Sequence, residues 1–331
     1  MKRANKMLHL IIIIMTVAAM PVMAQHHLTL MSFNCENAFD TIHDSGKNDY
    51  EYISSSPRRW NKRKLFRKLD GIAKVIAAGD TVQPVGLVGL CEVENDTVLE
   101  YLTKKSILKT LGYDYLMTQS QDLRGIDVAL LYSKYVFLPT RYESIRAEKI
   151  GTPTRDILHV TGIVSVDDTI DVYVVHLPSK LGGADAKRKG VHIAEVLKEN
   201  VDSVLSLNGN NRVIIMGDFN DDYNSTIIRD VLGAEKYWKV ELRTNRILYD
   251  VIEKQGKEKI GTYKYKGNWN IIDHILVSGR VDVQDAGILS LPSLLEEDEK
   301  FGGTKPRRTY IGYKYNGGIS DHLPIWMRMG L

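Results

Sequence analysis

The sequence predicts a layered α/β or α+β fold that is built around β-sheets. Three observations lead to this prediction: short apolar, β-branched runs recur along the chain, amphipathic segments lie between them, and turn-forming clusters separate the two. Strands that alternate with helices in this way are typical of sheets covered by helices. Of the 331 residues, 44% are hydrophobic and 26% are charged, so the chain has enough apolar surface for a large core.

The first half of the chain shows both the alternation of a strand and the apolar stripe of a helix. His27–Asn34 alternates and predicts a first strand, whereas Arg63–Ala78 carries its apolar residues on one helical stripe, which includes Phe66. Val85–Glu92 is a nearly unbroken apolar run, which predicts a buried strand followed by a helix from about residue 96. Another strand is predicted at Asp127–Tyr132.

The second half continues the pattern. A long helix is predicted at Lys187–Ser206, where the apolar residues return to a helical spacing. Further strands are predicted at Ile157–Val166, Thr169–Val175, Arg212–Met216, Ile271–Val277 and Pro324–Met329. No internal repeat, low-complexity tract or linker interrupts them, so a single catalytic domain over residues 25–331 is the simplest description.

Residues 1–24 are predicted to lie outside this domain. Three basic residues precede an apolar run at about residues 7–20. Residues 21–24 are small or of types that a signal-peptide cleavage site tolerates, and cleavage is predicted after Ala24. This is the three-part pattern of a secretory signal peptide. A membrane anchor is the alternative, but the run is shorter than the roughly 20 residues that span a bilayer. We therefore expect an exported protein, either periplasmic or secreted.

The charge balance argues against a dedicated nucleic-acid-binding protein. The chain has 44 Lys and Arg residues against 41 Asp and Glu residues. Without residues 1–24, which hold three basic residues and no acidic one, 41 of each sign remain. Proteins that bind nucleic acids mainly through the phosphates usually have a basic excess, and none is present here.

Cys35 and Cys91 are the only cysteines of the chain. Two cysteines are too few for a disulfide scaffold, even in an exported protein. We expect two buried free thiols, with a bridge between neighbouring strands as the alternative.

The segment Ile214–Asp221 (IIMGDFND) is the most specific feature for chemistry. A buried strand runs directly into Gly-Asp-Phe-Asn, so that Asp218 and Asn220 emerge on the same face. A carboxylate there can orient or deprotonate a water molecule, and a carboxamide can donate to a phosphate oxygen. A simple turn is the alternative, because Gly, Asp and Asn are common turn residues.

Five other segments also place Asn, Asp, Glu or His at or near the end of a strand. They are MSFNCEN with Asn34, LCEVEN with Glu92, VVHLPSK with His176, WNIIDHILVS with Asp273, and SDHLP with Asp321 and His322. Each segment alone has a structural explanation, such as a turn or a paired buried group. Together they are confined to the residue types that phosphoryl transfer uses, whereas chance polar residues would vary in type.

This set of segments, in this order, resembles the endonuclease/exonuclease/phosphatase superfamily, which includes pancreatic deoxyribonuclease, exonuclease III-type repair enzymes, inositol polyphosphate 5-phosphatases and neutral sphingomyelinases. The resemblance extends from Asn34 to His322, and the pairing of GDFN with SDH is its most specific part. It implies a four-layer α/β sandwich, in which two mainly antiparallel sheets pack face to face and are flanked by helices. It also implies a metal-dependent phosphoesterase, either a phosphodiesterase such as a nuclease or a phosphatase, that directs water in line at a phosphoester.

The resemblance also implies the metal site. Glu92 resembles the principal metal-ligand glutamate of the superfamily, with Asn34 and Asp321 assisting at the same ion. Mg²⁺ is expected, with Mn²⁺ as the alternative, because Mg²⁺ binds few carboxylates and keeps several waters.

The catalytic residues follow from the same resemblance. His176 resembles the histidine that contacts the phosphate, and Asp218 with Asn220 the pair that places nucleophile and phosphate. His322, oriented by Asp273, resembles the histidine that serves as base or transition-state stabiliser. An aspartate partner of this kind fixes the tautomer of an imidazole and raises its pKa.

The substrate is less well determined. Four residues are predicted to contact it, namely Arg124, Asp127, Arg155 and Ser179, and Lys305–Tyr310 (KPRRTY) adds arginines in a predicted loop. Nucleic acid, a phospholipid head group and a small phosphoester all remain open as substrates. We expect a monomer without an obligate protein partner. A catalytically inactive binding or accessory protein with the same fold is the alternative to an enzyme.

Overall fold

The structure is a computed structural model that describes residues 27–147, 153–165, 168–207, 211–254 and 259–331. The predicted signal peptide, residues 1–24, lies outside the described residues, as does Val166 at the end of one predicted strand. Within the described ranges, no helix has both the length and the apolar character that crossing a membrane requires.

The secondary structure consists of many strands and few long helices. The first strands are β1 (His27–Ala38), β2 (Leu87–Val93), β3 (Tyr113–Met117), β4 (Asp127–Ser133), β5 (Leu138–Ile145), β6 (Ile157–Ser165) and β7 (Asp168–His176). The next are β8 (Arg212–Asp218), β9 (Glu235–Lys236), β10 (Leu248–Asp250), β11 (Tyr263–Tyr265), β12 (Asn268–Asn270) and β13 (Asp273–Ser278). The last are β14 (Val283–Ile288), β15 (Leu295–Glu297), β16 (Thr304–Pro306), β17 (Tyr310–Ile311), β18 (Lys314–Tyr315) and β19 (Ile325–Gly330).

The helices lie between these strands. The α-helices are α1 (Lys62–Ala77), α2 (Asp96–Glu100) and α3 (Gly183–Leu207). Short 3-10 turns are present at Tyr50–Tyr52, Ile107–Leu111, Lys180–Gly182, Tyr237–Lys239 and Pro292–Leu294, and π-helical turns at Tyr101–Lys105 and Thr226–Val231.

Two large sheets form the centre of the molecule. The first has the strand order β14-β19-β1-β2-β4-β3 and the second the order β5-β6-β7-β8-β13-β10-β9. Only β1 with β2, β7 with β8, and β9 with β10 pair in parallel among the strands of these sheets. Strands β1, β2 and β4 of one sheet face β7 and β8 of the other, while α1 packs on β1 and α3 on β8. The predicted four-layer sandwich with mainly antiparallel sheets is therefore confirmed.

Helix α1 shows how the sequence pattern becomes packing. The Asn61 side chain caps the helix by accepting a hydrogen bond from the Lys64 backbone N–H at 3.2 Å. Leu69 and Ile72 of the predicted stripe are fully buried, but Phe66 is 40% exposed and stacks on a tyrosine instead. The stripe therefore gives the buried face correctly except at its margin.

The periodicity revealed none of the four strands at the edges of the two large sheets. Strands β3 and β14 form the edges of the first sheet, and β5 and the two-residue β9 form the edges of the second. An edge strand has only one paired neighbour and natural proteins commonly place charged side chains on it. In β5 the charged pair Arg141 and Glu143 is part of a largely exposed strand, so its sequence lacks the apolar signal of a central strand.

Candidate active site

The polar residues at the strand ends converge at one edge of the sandwich. Strands β7 and β8 run in parallel and end together, which places His176 directly beside Asp218 in register. Strand β13 runs the other way and begins at this edge, so its first residue, Asp273, pairs with Asp218 from the other side. Three chemically useful side chains are thus held side by side by the hydrogen-bonded ladder of the second sheet.

The end of strand β8, which carries Asp218, requires a glycine before that residue. Gly217 has φ of +150°, and a Cβ at this position would lie 1.9 Å from the carbonyl oxygen of Val175 on the neighbouring strand. Only glycine allows β8 to approach β7 this closely. Asn220 then adopts a left-handed φ of 51° and donates from Nδ2 to the carbonyl oxygen of Leu177 at 2.9 Å. The GDFN segment is therefore both a turn and a means of aiming two polar side chains.

The carboxylate oxygen Oδ2 of Asp218 is the atom on which the first contacts converge. It accepts a hydrogen bond from Nδ2 of Asn34 at 2.9 Å, across the interface between the two sheets. It also lies 3.6 Å from Nε2 of His176 and 3.9 Å from Nε2 of His322. Burial and the nearby carboxylate of Asp273 raise the pKa of Asp218 to about 7. A carboxylate with this pKa can accept a proton at neutral pH.

His322 is held as a cation by its carboxylate neighbours. Its Nδ1 lies 2.8 Å from Oδ2 of Asp273, and its backbone N–H donates to the hydroxyl of Ser320 at 3.0 Å. Although burial alone would lower it, the pKa of His322 is raised well above its usual value by Asp273 and Asp218. Both ring nitrogens are then donors, so His322 is suited to stabilise negative charge or to release a proton.

His176 has the opposite character. Its side chain is buried, and burial together with the positive charges of Arg155 and Arg124 lowers the pKa of His176 well below its usual value. Its Nδ1 is buried without a hydrogen-bond partner among the described residues. The guanidinium of Arg155 donates to the carbonyl oxygens of His176 and Leu177, at 3.3 and 2.9 Å, and so fixes the backbone that presents this imidazole.

Glu92 reaches the same place from the first sheet. Its Oε2 accepts from the backbone N–H of Asn37 at 2.9 Å, and its Oε1 lies 3.4 Å from Nη2 of Arg124. Its φ is 61°, and Glu36 and Asn37 beside it are also left-handed, at 47° and 60°. Left-handed residues other than glycine are costly and cluster at functional sites, so their grouping here supports a functional edge.

An open cavity of about 640 Å³ lies over these residues. Most of the predicted site residues line it: Glu92, Arg124, Arg155, His176, Ser179, Asp218, Asn220, Asp321 and His322. Asn34 and Asp273 are each 2% exposed and contact Asp218 and His322 respectively. The cavity volume lies in the range of small-molecule sites in proteins.

Asp127 is the one predicted site residue that the structure places elsewhere. Its buried carboxylate accepts from the hydroxyl of Thr118 at 2.6 Å and from the backbone N–H of Ser120 at 3.0 Å. It lines a separate cavity of about 340 Å³. Its side chain therefore anchors the loop before β4, and no contact in the described residues connects it with Asp218 or His322.

Tyr263 of the cavity was not identified from the sequence, and Arg308 was indicated only as one of the arginines of the KPRRTY segment. Tyr263 packs on the imidazole of His322, with ring centroids 5.0 Å apart, and Arg308 pairs with Asp321 on the same wall. Tyr263 belongs to a hairpin of β11 and β12 whose two turn residues, Lys266 and Gly267, have φ of 47° and 84°. Lys-Gly between two short aromatic runs is a weak hairpin signal that the sequence does contain.

The donor set at this edge fits a hard divalent cation. Glu92 and Asp321 present carboxylates to the cavity, and carboxylate oxygens are the protein ligands that Mg²⁺ prefers. The ligand atoms of Asp218, Asp273 and His322 lie within 4.8 Å of one another, a spacing that could also hold a metal ion. Because His322 already donates to Asp273 as a cation, this second group is better suited to proton transfer, and Glu92 and Asp321 are the better candidates for a metal.

A second acidic cluster lies away from this cavity. Asp44, Asp49 and Glu94 have oxygens within 4.8 Å of one another. Burial, followed by the charges of Asp40 and the two other members, raises the pKa of Glu94 to about 9. A group whose pKa is raised in the folded state stabilises the fold at low pH and loses that contribution as the pH rises through the folded value.

Glu94→Gln is therefore expected to stabilise the protein at alkaline pH. In metal-free buffer, the Tm of the variant minus that of the wild type should rise between pH 5 and pH 9, by about 2 °C or more. The exposed Glu100→Gln serves as the control and should show no such trend. A Tm difference between Glu94→Gln and the wild type that is equal at pH 5 and pH 9 would contradict a raised pKa of Glu94.

The comparisons with known proteins agree with this architecture. A model described as the Endonuclease/Exonuclease/phosphatase family matches residues 29–330. A mannosyl-6-phosphatase of Bacteroides thetaiotaomicron has a TM-score of 0.60 at 18% identity, over 92% of this chain and 100% of that one. The human nocturnin catalytic domain with bound sulfate has a TM-score of 0.55 at 15% identity, over 92% of this chain and 94% of that one. D. rerio TDP2 complexed with single strand DNA product has a TM-score of 0.56 at 16% identity, over 92% of this chain and 99% of that one. At these identities the likeness shows the shared fold. None of the curated proteins matches the chain.

Proposed function

Because the chain belongs to the endonuclease/exonuclease/phosphatase family, we propose that it is an exported phosphoesterase that depends on a divalent metal and uses water as the nucleophile. One observation carries the proposal: Oδ2 of Asp218 faces the imidazoles of both His176 and His322 at the floor of an open cavity. We further propose that residues 1–24 are a cleaved signal peptide and that residues 25–331 form a single catalytic domain.

In the proposed reaction, water attacks phosphorus in line, and the bond from phosphorus to the leaving-group oxygen breaks as the new oxygen–phosphorus bond forms. Asp218, with a pKa of about 7, accepts the proton of a water molecule that is oriented toward phosphorus, and Asn34 holds the carboxylate in place. Asn220 uses one N–H of its amide for the carbonyl oxygen of Leu177 and offers the second to a phosphoryl oxygen.

The two histidines then stabilise the charge that develops on the phosphoryl group. His322 donates as an imidazolium, whose orientation Asp273 maintains through Nδ1. His176 donates from Nε2 as a neutral imidazole, because its environment disfavours protonation. When bound by Glu92 and Asp321, a divalent cation supplies Lewis-acid stabilisation of the same oxygens.

The substrate side of the proposal is less restricted. The cavity size supports a small phosphoester, or the terminal group of a larger one, and tyrosines and arginines share its walls. One similar protein is named for a phosphorylated sugar and another was solved with a DNA product, so the fold serves both classes. Phospholipid head groups remain a third candidate.

Metal removal tests the proposal. Purified residues 25–331 are expected to hydrolyse bis-p-nitrophenyl phosphate or p-nitrophenyl phosphate with Mg²⁺ or Mn²⁺, and EDTA should reduce the rate by about 10²-fold or more, the scale of a lost electrostatic contribution. Activity should return when Mg²⁺ is added in excess of EDTA.

A panel of nucleic acids, sugar phosphates and phospholipids then distinguishes the substrate classes. No EDTA-sensitive hydrolysis of any phosphoester would remove the enzyme proposal and favour a binding protein with this fold.

A further inference from the structure

Arg307 and Arg308 are adjacent in the chain but have different environments. Arg308 lines the catalytic cavity, and its Nη2 pairs with Oδ2 of Asp321. Arg307 lies outside the cavity lining, donates from Nη2 to the carbonyl oxygen of Asn316 at 3.2 Å, and lies 4.0 Å from Glu296. The two side chains are equally exposed, at 41% and 40%, so exposure alone does not distinguish them.

The backbone around Arg308 is firmly held. The N–H of Thr309 donates to Oε2 of Glu36 at 2.6 Å, and the hydroxyl of Thr309 accepts from the buried ammonium of Lys68 at 2.6 Å. The N–H of Arg307 donates to the carbonyl oxygen of Leu294 at 2.7 Å. The position of Arg308 relative to the cavity is therefore fixed, and only its side chain has freedom to change partner.

The guanidinium of Arg308 has unused hydrogen-bonding capacity. It carries five N–H donors, and its hydrogen bonds within the described residues go to Asp321 alone. Arg155 differs, because its guanidinium is 8% exposed and donates to two carbonyl oxygens and to Asp122. Arg155 therefore positions the His176 loop, while Arg308 lines the cavity with donors beyond the one that Asp321 accepts.

The partner of Arg308 is the reason for expecting a change. Asp321 is one of the two carboxylates assigned above to a divalent cation, and a cation on that carboxylate weakens its attraction for the guanidinium. A planar guanidinium that loses a carboxylate beside a phosphate site has a matching acceptor at hand, because phosphate accepts the same bidentate fork.

We propose that Arg308 binds the phosphoryl group of the substrate and exchanges partners: it pairs with Asp321 in the metal-free site and with phosphate oxygens once Asp321 binds a divalent cation. This inference rests on the proposed function. It predicts opposite effects on the two ligands: the charge of Arg308 weakens binding of the metal to Asp321, whereas its guanidinium strengthens binding of the phosphate. A purely structural arginine would support both ligands or neither.

Arg308→Gln and the matched Arg307→Gln test the proposal. Isothermal titration with Mg²⁺ alone should show Arg308→Gln binding the ion several-fold more tightly than the wild type, because Asp321 no longer has a competing cation. Titration with inorganic phosphate at saturating Mg²⁺ should show about tenfold weaker binding by the same variant, as expected for a lost charge-assisted contact. Arg307→Gln should match the wild type in both.

Arg308→Lys keeps the positive charge and removes the fork. It should bind Mg²⁺ like the wild type but bind phosphate less tightly. This variant therefore controls for a structural effect of replacing Arg308 by glutamine. Weaker binding of both Mg²⁺ and phosphate by Arg308→Gln, or behaviour equal to Arg307→Gln, would overturn the proposal.

Kinetics separate this inference from the function on which it rests. In the active wild type, Arg308→Gln should raise KM for p-nitrophenyl phosphate about tenfold, and an unchanged KM would count against Arg308 alone. A wild type that hydrolyses no phosphoester would remove the proposed function, while the two titrations would still decide whether Arg308 exchanges partners.

Discussion

Asp218→Asn is expected to lower kcat/KM for a phosphoester by about 10²- to 10⁴-fold, the range for a lost general base. The asparagine keeps the size of the side chain and can still accept the hydrogen bond from Asn34, but it cannot take a proton from water. Because the amide carries no charge, it also removes part of the field that keeps His322 protonated. The loss should therefore appear mainly in kcat, measured at saturating Mg²⁺ across pH 5 to 9.

The exposed Asp230→Asn is the control for this change. Asp230 pairs with its neighbour Arg229 on the surface and is 49% exposed, so its replacement should leave the rate within twofold. Thermal unfolding should give the two variants similar values of Tm. An Asp218→Asn enzyme that keeps a tenth or more of the wild-type kcat would show that another group accepts the proton.

His322→Gln is expected to lower kcat by about 10²-fold or more, because the charge-stabilising imidazolium is lost. Asp273→Asn should have a smaller effect with a distinct pH dependence. Without the aspartate, the pKa of His322 falls, so the imidazolium is lost at a lower pH and the alkaline limb of the rate profile should move to lower pH.

The double variant tests whether these two residues act as one unit. If Asp273 acts through His322, the combined change should cost little more than His322→Gln alone. His192→Gln on helix α3, where His192 is 27% exposed and is not part of the cavity lining, serves as the histidine control. Fully additive losses, or an Asp273→Asn profile with an unmoved alkaline limb, would contradict a pair that works through the imidazolium.

The longer central strands could be predicted from the sequence, whereas the edge strands and the three-residue interior strand β10 could not. Strand β8 is buried along nearly its whole length, so its apolar run is visible in the residues themselves. Strand β5 alternates between exposed and half-buried positions because only one neighbour covers it, and its residues look like those of a loop. Helix α3 was predicted but begins four residues earlier than its periodicity suggested, since the first turn lies on the surface.

The candidate site was likewise only partly predictable from the sequence. The sequence showed which side chains stand at strand ends and that their types suit phosphoryl transfer, because both properties depend on neighbours within a few positions. It could not show that Asp127, at the start of β4, lies apart from Asp218, at the end of β8, since both are aspartates at the boundary of an apolar strand. The structure separates them. The carboxylate of Asp127 accepts hydrogen bonds from Thr118 and Ser120, whereas that of Asp218 faces two histidines.

The sequence by itself determined the layered fold, the polar residues at its strand ends and the class of chemistry that they suit. Only the tertiary structure decided that Asn34 meets Asp218 and that Arg308 rather than Arg307 meets Asp321, whereas the pairing of His322 with Asp273 was already expected from the family resemblance. The physical reason is distance along the chain. Asn34 and Asp218 are 184 positions apart, and their contact exists because two sheets pack face to face, which no local pattern of residues encodes.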